Sequence, residues 1–131
     1  SYLPDERRVD LCNYRMKNSE DSLTAAEDCL KKGLYRDAIN RSFYAIKALL
    51  ALEEVDFKKH KDVVAYFNRT YAATEKIPRE IGRKLARLQQ KREKSDYDDF
   101  YIASKEETTE QIENTKSVIL AVKDYLSRME N

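Results

Sequence analysis

The sequence predicts an all-α protein, an antiparallel up-and-down four-helix bundle with one additional short helix, and three observations carry that prediction. Glycine and proline number only two each in 131 residues, which leaves few sites for tight turns, while the good helix formers Ala, Leu, Lys, Glu and Arg are plentiful. Apolar residues recur at alternating spacings of three and four, the signature of one helix face. From Ser42 to Leu52 every residue except Lys47 is apolar, small or aromatic, so a helix there is hydrophobic on nearly every side and has to be wrapped by other helices or by a second copy of the chain. The length suits a single domain over residues 1–131, large enough for a core without disulfides or metal.

Taken in order, the first helix starts at Pro4 and Asp5 and carries the stripe Val9, Cys12, Met16, Ser19, Leu23, Ala26 and Leu30. Lys31, Lys32 and Gly33 end it, basic residues suiting the last turn and glycine the left-handed stop. The second helix, Tyr35 to Glu54, follows so closely that the two pack antiparallel. It fades over Glu53 to Lys59, with Phe57 expected to fold back onto the core. A short third helix has His60, Val64, Phe67 and Tyr71 on one face, and Thr70 to Lys76 reads as a polar connection. Pro78, tolerated in a first turn, opens the fourth helix, whose inward line runs Ile81, Leu85, Leu88, Arg92 and then Ser95 or Asp96. Ser95 to Ala103 reads as a loop whose three aromatics are pinned against the bundle. Ser104 with Glu107 forms a capping box for the last helix, which carries Ile112, Thr115, Ile119, Val122, Leu126 and Met129.

Charge is balanced, 25 basic against 24 acidic residues, so nothing pulls the whole chain toward nucleic acid or an anionic membrane. No run approaches a membrane span and no signal peptide pattern opens the sequence, so a cytoplasmic protein with no membrane association is expected. Cys12 and Cys29, 17 residues apart on one helix, stand roughly 25 Å from each other and cannot bridge. With those two cysteines and the single His60 there is no ligand set at metal spacing, and neither metal nor cofactor is expected.

The candidate site residues are polar groups that break apolar faces. Arg41 and Tyr44 enter the hydrophobic second helix one turn apart, and Arg92 points inward from the fourth. Arg92 with Asp96 has two readings. One is a structural i,i+4 pair, since a buried arginine needs a carboxylate. The other is a cleft in which Arg41, Tyr44, Arg92, Asp96 and Tyr97 bind phosphate or nucleotide, the guanidinium presenting its planar fork to the oxygens. Outward on the fourth helix, Lys84, Arg87, Lys91 and Lys94 form a basic stripe, either balanced by the acidic region that follows or tracking phosphates.

RSFYAIKALL at 41–50, KKHKDVVAYFNRTY at 58–71 and KIPREIGRKLARLQQKREKSDYDDF at 76–100 together resemble, in this order, the HEPN family, small all-α domains named for higher eukaryote and prokaryote nucleotide binding. The resemblance covers roughly residues 34–126. It implies a helical bundle that often forms homodimers, is frequently encoded beside a minimal nucleotidyltransferase, and acts in many members in toxin-antitoxin or RNA-directed defence systems. Members similar to this chain cut RNA with an arginine followed after four to six residues by a histidine, across a dimer cleft. Here Arg92 is followed by Glu93, Lys94, Ser95, Asp96, Tyr97 and Asp98, and the sequence holds no histidine beyond His60. A phenol ionising near 10 or a carboxylic acid near 3.9 is poorly matched to the proton transfer that an imidazole near 6.5 performs. No catalytic residue is therefore assigned. The expectation is a homodimeric HEPN-like module binding nucleotide or RNA, or partnering a nucleotidyltransferase. An RNA-cleaving toxin with an altered site and a purely structural adaptor stand as the alternatives.

Overall fold

Five α-helices make up the computed structural model, which describes residues 5–50 and 60–129, with side chains over 10–49 and 63–128. They are α1 (Asp5–Lys31), α2 (Tyr35–Leu50), α3 (His60–Phe67), α4 (Arg79–Tyr97) and α5 (Lys105–Met129). Among the described residues there are no strands. Phe57 and the fading end of α2 lie outside the described residues, as does the side chain of His60.

Packing follows from the stripes. Helix α2 lies against α1, α4 and α5, and α5 closes the ring by touching both α4 and α1. Side-chain pairs fix every direction. Arg36 of α2 donates to the Asp98 carbonyl at the far end of α4, while Arg92 sits over Phe43 and Tyr44, so α2 and α4 are antiparallel. Lys84 to Ser117, Arg87 to Glu110 and Lys91 to Glu107 do the same for α4 and α5. Lys116 to Glu27 and Lys123 to Glu20 do so for α5 and α1. The result is the expected up-and-down bundle. Its core is built from Phe43, Ile46 and Leu49 of α2, Val63 and Phe67 of α3, Leu85 and Leu88 of α4, and Val118 and Ile119 of α5. Each such side chain contributes about 1.5–3 kcal/mol by leaving water.

The turn between α1 and α2 is a Schellman stop. Gly33 takes φ +76°, the Leu34 N–H donates to the Cys29 carbonyl at 2.9 Å, and the Gly33 N–H donates to the Leu30 carbonyl at 3.1 Å. Farther along the pair, the Ser19 hydroxyl donates to the Ala45 carbonyl at 2.7 Å, which sets the register of α1 on α2.

Three local expectations are corrected. The chain does not leave the helix at Thr70: a π-helical turn, Asn68–Ala72, continues α3, with the Ala73 N–H donating to the Asn68 carbonyl at 2.7 Å, because buried Tyr71 and Ala72 are drawn onto the core. Helix α4 does not end at Ser95. Ser95 is buried on the inward line, and the Asp98 N–H still donates to the Lys94 carbonyl at 3.1 Å, so the helix runs on through Tyr97. The capping box is half made. The Glu107 N–H donates to Ser104 Oγ at 3.0 Å, but the Glu107 carboxylate turns instead to Tyr101 and Lys91.

Close approach of the π-helical turn to α4 depends on Gly82. A Cβ there would stand 2.2 Å from Asn68 Oδ1 and 3.2 Å from the Ala72 Cβ. Gly82→Val should therefore lower the free energy of denaturant unfolding by about 1–3 kcal/mol through overpacking. Adding Asn68→Ala should recover part of that loss, and unchanged stability of the single variant would refute the close approach.

Candidate functional site

Arg92 occupies the seam between α2 and α4 and is only 9% exposed. Its Nε lies 3.6 Å from Asp96 Oδ2, and its guanidinium carbon lies 5.0 Å from the Phe43 ring centre and 5.5 Å from that of Tyr44. The cation is thus held by a carboxylate one turn on and by two aromatic faces, interactions that strengthen when water is excluded. Arg92 stands at i+7 from Leu85 on α4, so the same helical periodicity that buries the leucine buries the arginine.

Arg41 lies elsewhere. It is exposed and lines a groove of about 540 Å³ between α1 and α2, together with Arg15, Asn18, Asp21, Ser22, Tyr44, Lys47 and Ala48. No α4 residue lines that groove. Tyr44, 51% exposed, is common to both places: it lines the groove and carries Arg92 against its ring. The five candidate residues therefore divide. Arg92 and Asp96 meet in the seam, Arg41 and Tyr44 share the groove, and Tyr97 projects outward at the end of α4.

The basic stripe of α4 faces α5. Lys84 is 3.7 Å from Glu80 and 3.1 Å from the Ser117 hydroxyl, Arg87 is 3.5 Å from Glu110, and Lys91 is 3.3 Å from Glu107. Lys94 is exposed and lies close enough to Glu107 to help hold that carboxyl down. Next to this zipper the Tyr101 hydroxyl donates to Glu107 Oε2 at 2.5 Å. Burial, and then the hydrogen bond to the carboxylate, push the Tyr101 phenol from 10.0 up to about 12. The same hydrogen bond, followed by that from Lys91, holds Glu107 below its ordinary 4.5 against the opposing effect of burial. Of the three aromatics expected to be pinned, only Tyr101 is. Tyr97 and Phe100 stand in solvent, and Ile102 beside them is 87% exposed.

Residues that sequence reading passed over are Arg15, Asn18, Asp21 and Lys47. A signal existed: Arg15, Asn18 and Ser22 on α1 and Arg41, Tyr44 and Ala48 on α2 share the spacing i, i+3, i+7, two polar-edged lines flanking the apolar stripes. Cys12 and Cys29 are half-buried thiols not bridged to each other, and among the described residues no cluster of three His, Cys, Asp or Glu side chains is arranged to hold a metal. Nor, among those residues, is any helix long and apolar enough to cross a membrane.

Fold and seam define the class: an all-α bundle whose central helix is crossed by an inward arginine. The chain belongs to the HEPN domain family, whose match extends over residues 12–125. It is similar to a protein of Thermotoga maritima named "UPF0332 protein", 27% identical over 120 residues that cover 88% of this chain and 91% of the relative. Two proteins of Methanocaldococcus jannaschii are also similar. "Putative toxin MJ0605" is 35% identical over 83 residues, 60% of this chain and 62% of the relative, and "Putative toxin MJ0142" is 28% identical over 115 residues, 85% and 78% of the two chains.

The Tyr101 and Glu107 contact has a definite pH signature. A phenol raised from 10.0 to about 12 stabilises the fold fully below pH 10 and loses that contribution as pH rises toward 12. Glu107, lowered from 4.5, contributes above that pH and loses its contribution as the medium acidifies below it. In alkaline absorbance titration the wild type should show one tyrosine ionising near 12 that is missing from Tyr101→Phe. Identical curves would exclude the contact.

Proposed function

We propose that this HEPN domain is a binding and interaction module of a toxin-antitoxin-type system in the cytoplasm. It forms a homodimer, engages nucleotide or RNA through the face that carries Arg41 and Tyr44, and works with a minimal nucleotidyltransferase. The observation that carries this reading is the fate of Arg92, which is held in the seam by Asp96, Phe43 and Tyr44 in a sequence with no histidine after His60. Such an arginine orders the tyrosine beside it and is not matched to a proton-transfer partner. Family membership and the names of the relatives support the toxin-antitoxin setting.

Support for the homodimer comes from the end of α4. Phe100 at 92% exposure, Ile102 and Tyr97 form an apolar surface in solvent, the kind that marks an interaction site. The apolar circumference of α2 does not itself call for a second copy, since Ile39, Phe43, Ile46 and Leu49 are buried within the one chain. Sedimentation at micromolar concentration should show a dimer for the wild type and a monomer for the double variant Phe100→Ser, Ile102→Ser. A monomeric wild type removes this part of the reading.

The names of the relatives favour a second reading, an RNA-cleaving toxin with an altered site. Titration with ATP, GTP and a short RNA, with and without cleavage analysis, separates the two. The binding module predicts that at least one of these binds, that no RNA is cut, and that Arg41→Ala weakens binding by about tenfold, the loss of one charged hydrogen bond. Metal-independent cleavage abolished by Arg92→Ala would establish the toxin, and no binding to any of the three would remove the ligand half of the proposal.

A further inference from the structure

The cations of this bundle are unevenly satisfied. Most of those on α4 and α5 (Arg79, Lys84, Arg87, Lys91, Arg92, Lys116, Lys123 and Arg128) stand in ion pairs with carboxylates, Arg83, Lys94 and Lys105 being the exceptions among the described residues. Arg15, Arg41 and Lys47 share the α1–α2 groove, and among the described residues none of them is in an ion pair. Arg15 Nε is in addition a buried nitrogen without a hydrogen-bond partner there. A buried donor without a partner is costly, and the arginine that carries it is one of the residues lining the groove. With Asp21 the groove's side chains carry three positive charges against one negative. Its volume of about 540 Å³ lies within the roughly 300–1,000 Å³ usual for small-molecule sites.

Register gives the groove two ends. The Ser19 hydroxyl bonds to the Ala45 carbonyl and the helices are antiparallel, so Arg15 and Asn18 lie beside Lys47 and Ala48, while Asp21 and Ser22 lie beside Arg41. Tyr44 stands between the ends. Its ring is backed by the Arg92 guanidinium, and half of the side chain is exposed. Seven residues of helix from Arg15 to Ser22 span about 10 Å.

Resting on the reading that this face binds nucleotide or RNA, we infer that the groove is a site for one nucleoside phosphate. The phosphate lies at the Arg15 and Lys47 end, the base stacks on Tyr44, and Asp21 with Arg41 takes the polar groups at the other end. Guanidinium and ammonium donors suit phosphate oxygens, an aromatic face accepts any base, and a carboxylate accepts from a sugar hydroxyl or an exocyclic amine. The same chemistry is presented by a free nucleotide and by a residue of a single strand.

Calorimetric titration of the full chain with AMP, with adenosine and with a single-stranded RNA hexamer tests the assignment, using Arg15→Gln, Lys47→Gln and Tyr44→Ser, with Lys105→Gln as a surface control and circular dichroism to confirm folding. Arg15→Gln and Lys47→Gln should each weaken AMP or hexamer binding about tenfold. The weak binding of adenosine should be unchanged in those two variants and lost in Tyr44→Ser. Binding of AMP identifies a free nucleotide, and binding of the hexamer alone identifies a strand. Wild-type binding that survives Arg15→Gln and Lys47→Gln overturns the groove while leaving the broader reading intact, whereas a wild type that binds none of the three ligands overturns both.

Discussion

A helix that is apolar around most of its circumference has to be enclosed, and the structure of this bundle follows from how α2 is enclosed. Helix α1 covers one side, with Ser19 anchored on the Ala45 carbonyl, while α5 and α4 cover the others. The α4 side is closed by an arginine. A guanidinium is acceptable there because it is planar and weakly hydrated, able to lie on the rings of Phe43 and Tyr44 while Asp96 supplies the opposing charge. Replacing the pair by apolar groups of similar volume is often neutral in stability, so the polar seam is better understood through what it positions than through the energy it adds. What it positions is Tyr44, the residue at which the interior of the bundle reaches the groove.

Electrostatics divides the surface in the same way. The densest run of basic residues, on α4, is the obvious place to look for phosphate contacts, and the fold spends it on holding α4 to α5. Exposed ion pairs of this kind are worth little individually, about 0–1 kcal/mol, but they lower the field that the stripe presents to a polyanion. The three groove cations are fewer and scattered in sequence. They nevertheless keep their charge available, because the groove lining holds one carboxylate, Asp21, and no ion pair to it forms among the described residues.

The helices were legible in the sequence because stripes, terminal glycine and a capping serine are local signals, and Gly33 and Ser104 act as such signals imply. The pair Arg92 and Asp96 was legible for the same reason, being one turn apart on one helix. Legibility fails where a contact joins distant segments. Glu107 abandons half of its capping role for Tyr101 and Lys91, a choice set by where α4 lies. The π-helical turn packs on α4 at Gly82, ten residues beyond Ala72, where the missing side chain leaves room for Asn68. Arg41 and Arg92, both read as polar intruders, fall on different sides of Tyr44, because a helix face specifies which residues share it but not which neighbour it meets.

The perturbed groups also bear on chemistry. Acid–base catalysis near neutrality wants groups whose pKa values are driven toward the working pH, a carboxyl raised or a phenol lowered. The clear shifts among the described residues run the other way: Tyr101 is driven up to about 12 and Glu107 is driven down. Each partner stabilises the resting protonation state of the other, which makes a durable clamp at the start of α5 and a poor proton relay. Arg92 is similarly committed, its charge already answered by Asp96 and two rings. An arginine that is to meet a developing phosphate charge would first have to give up those contacts. The arginines and lysine of the α1–α2 groove stand in no ion pair among the described residues, so the anion site proposed there would ask for no such exchange of partners.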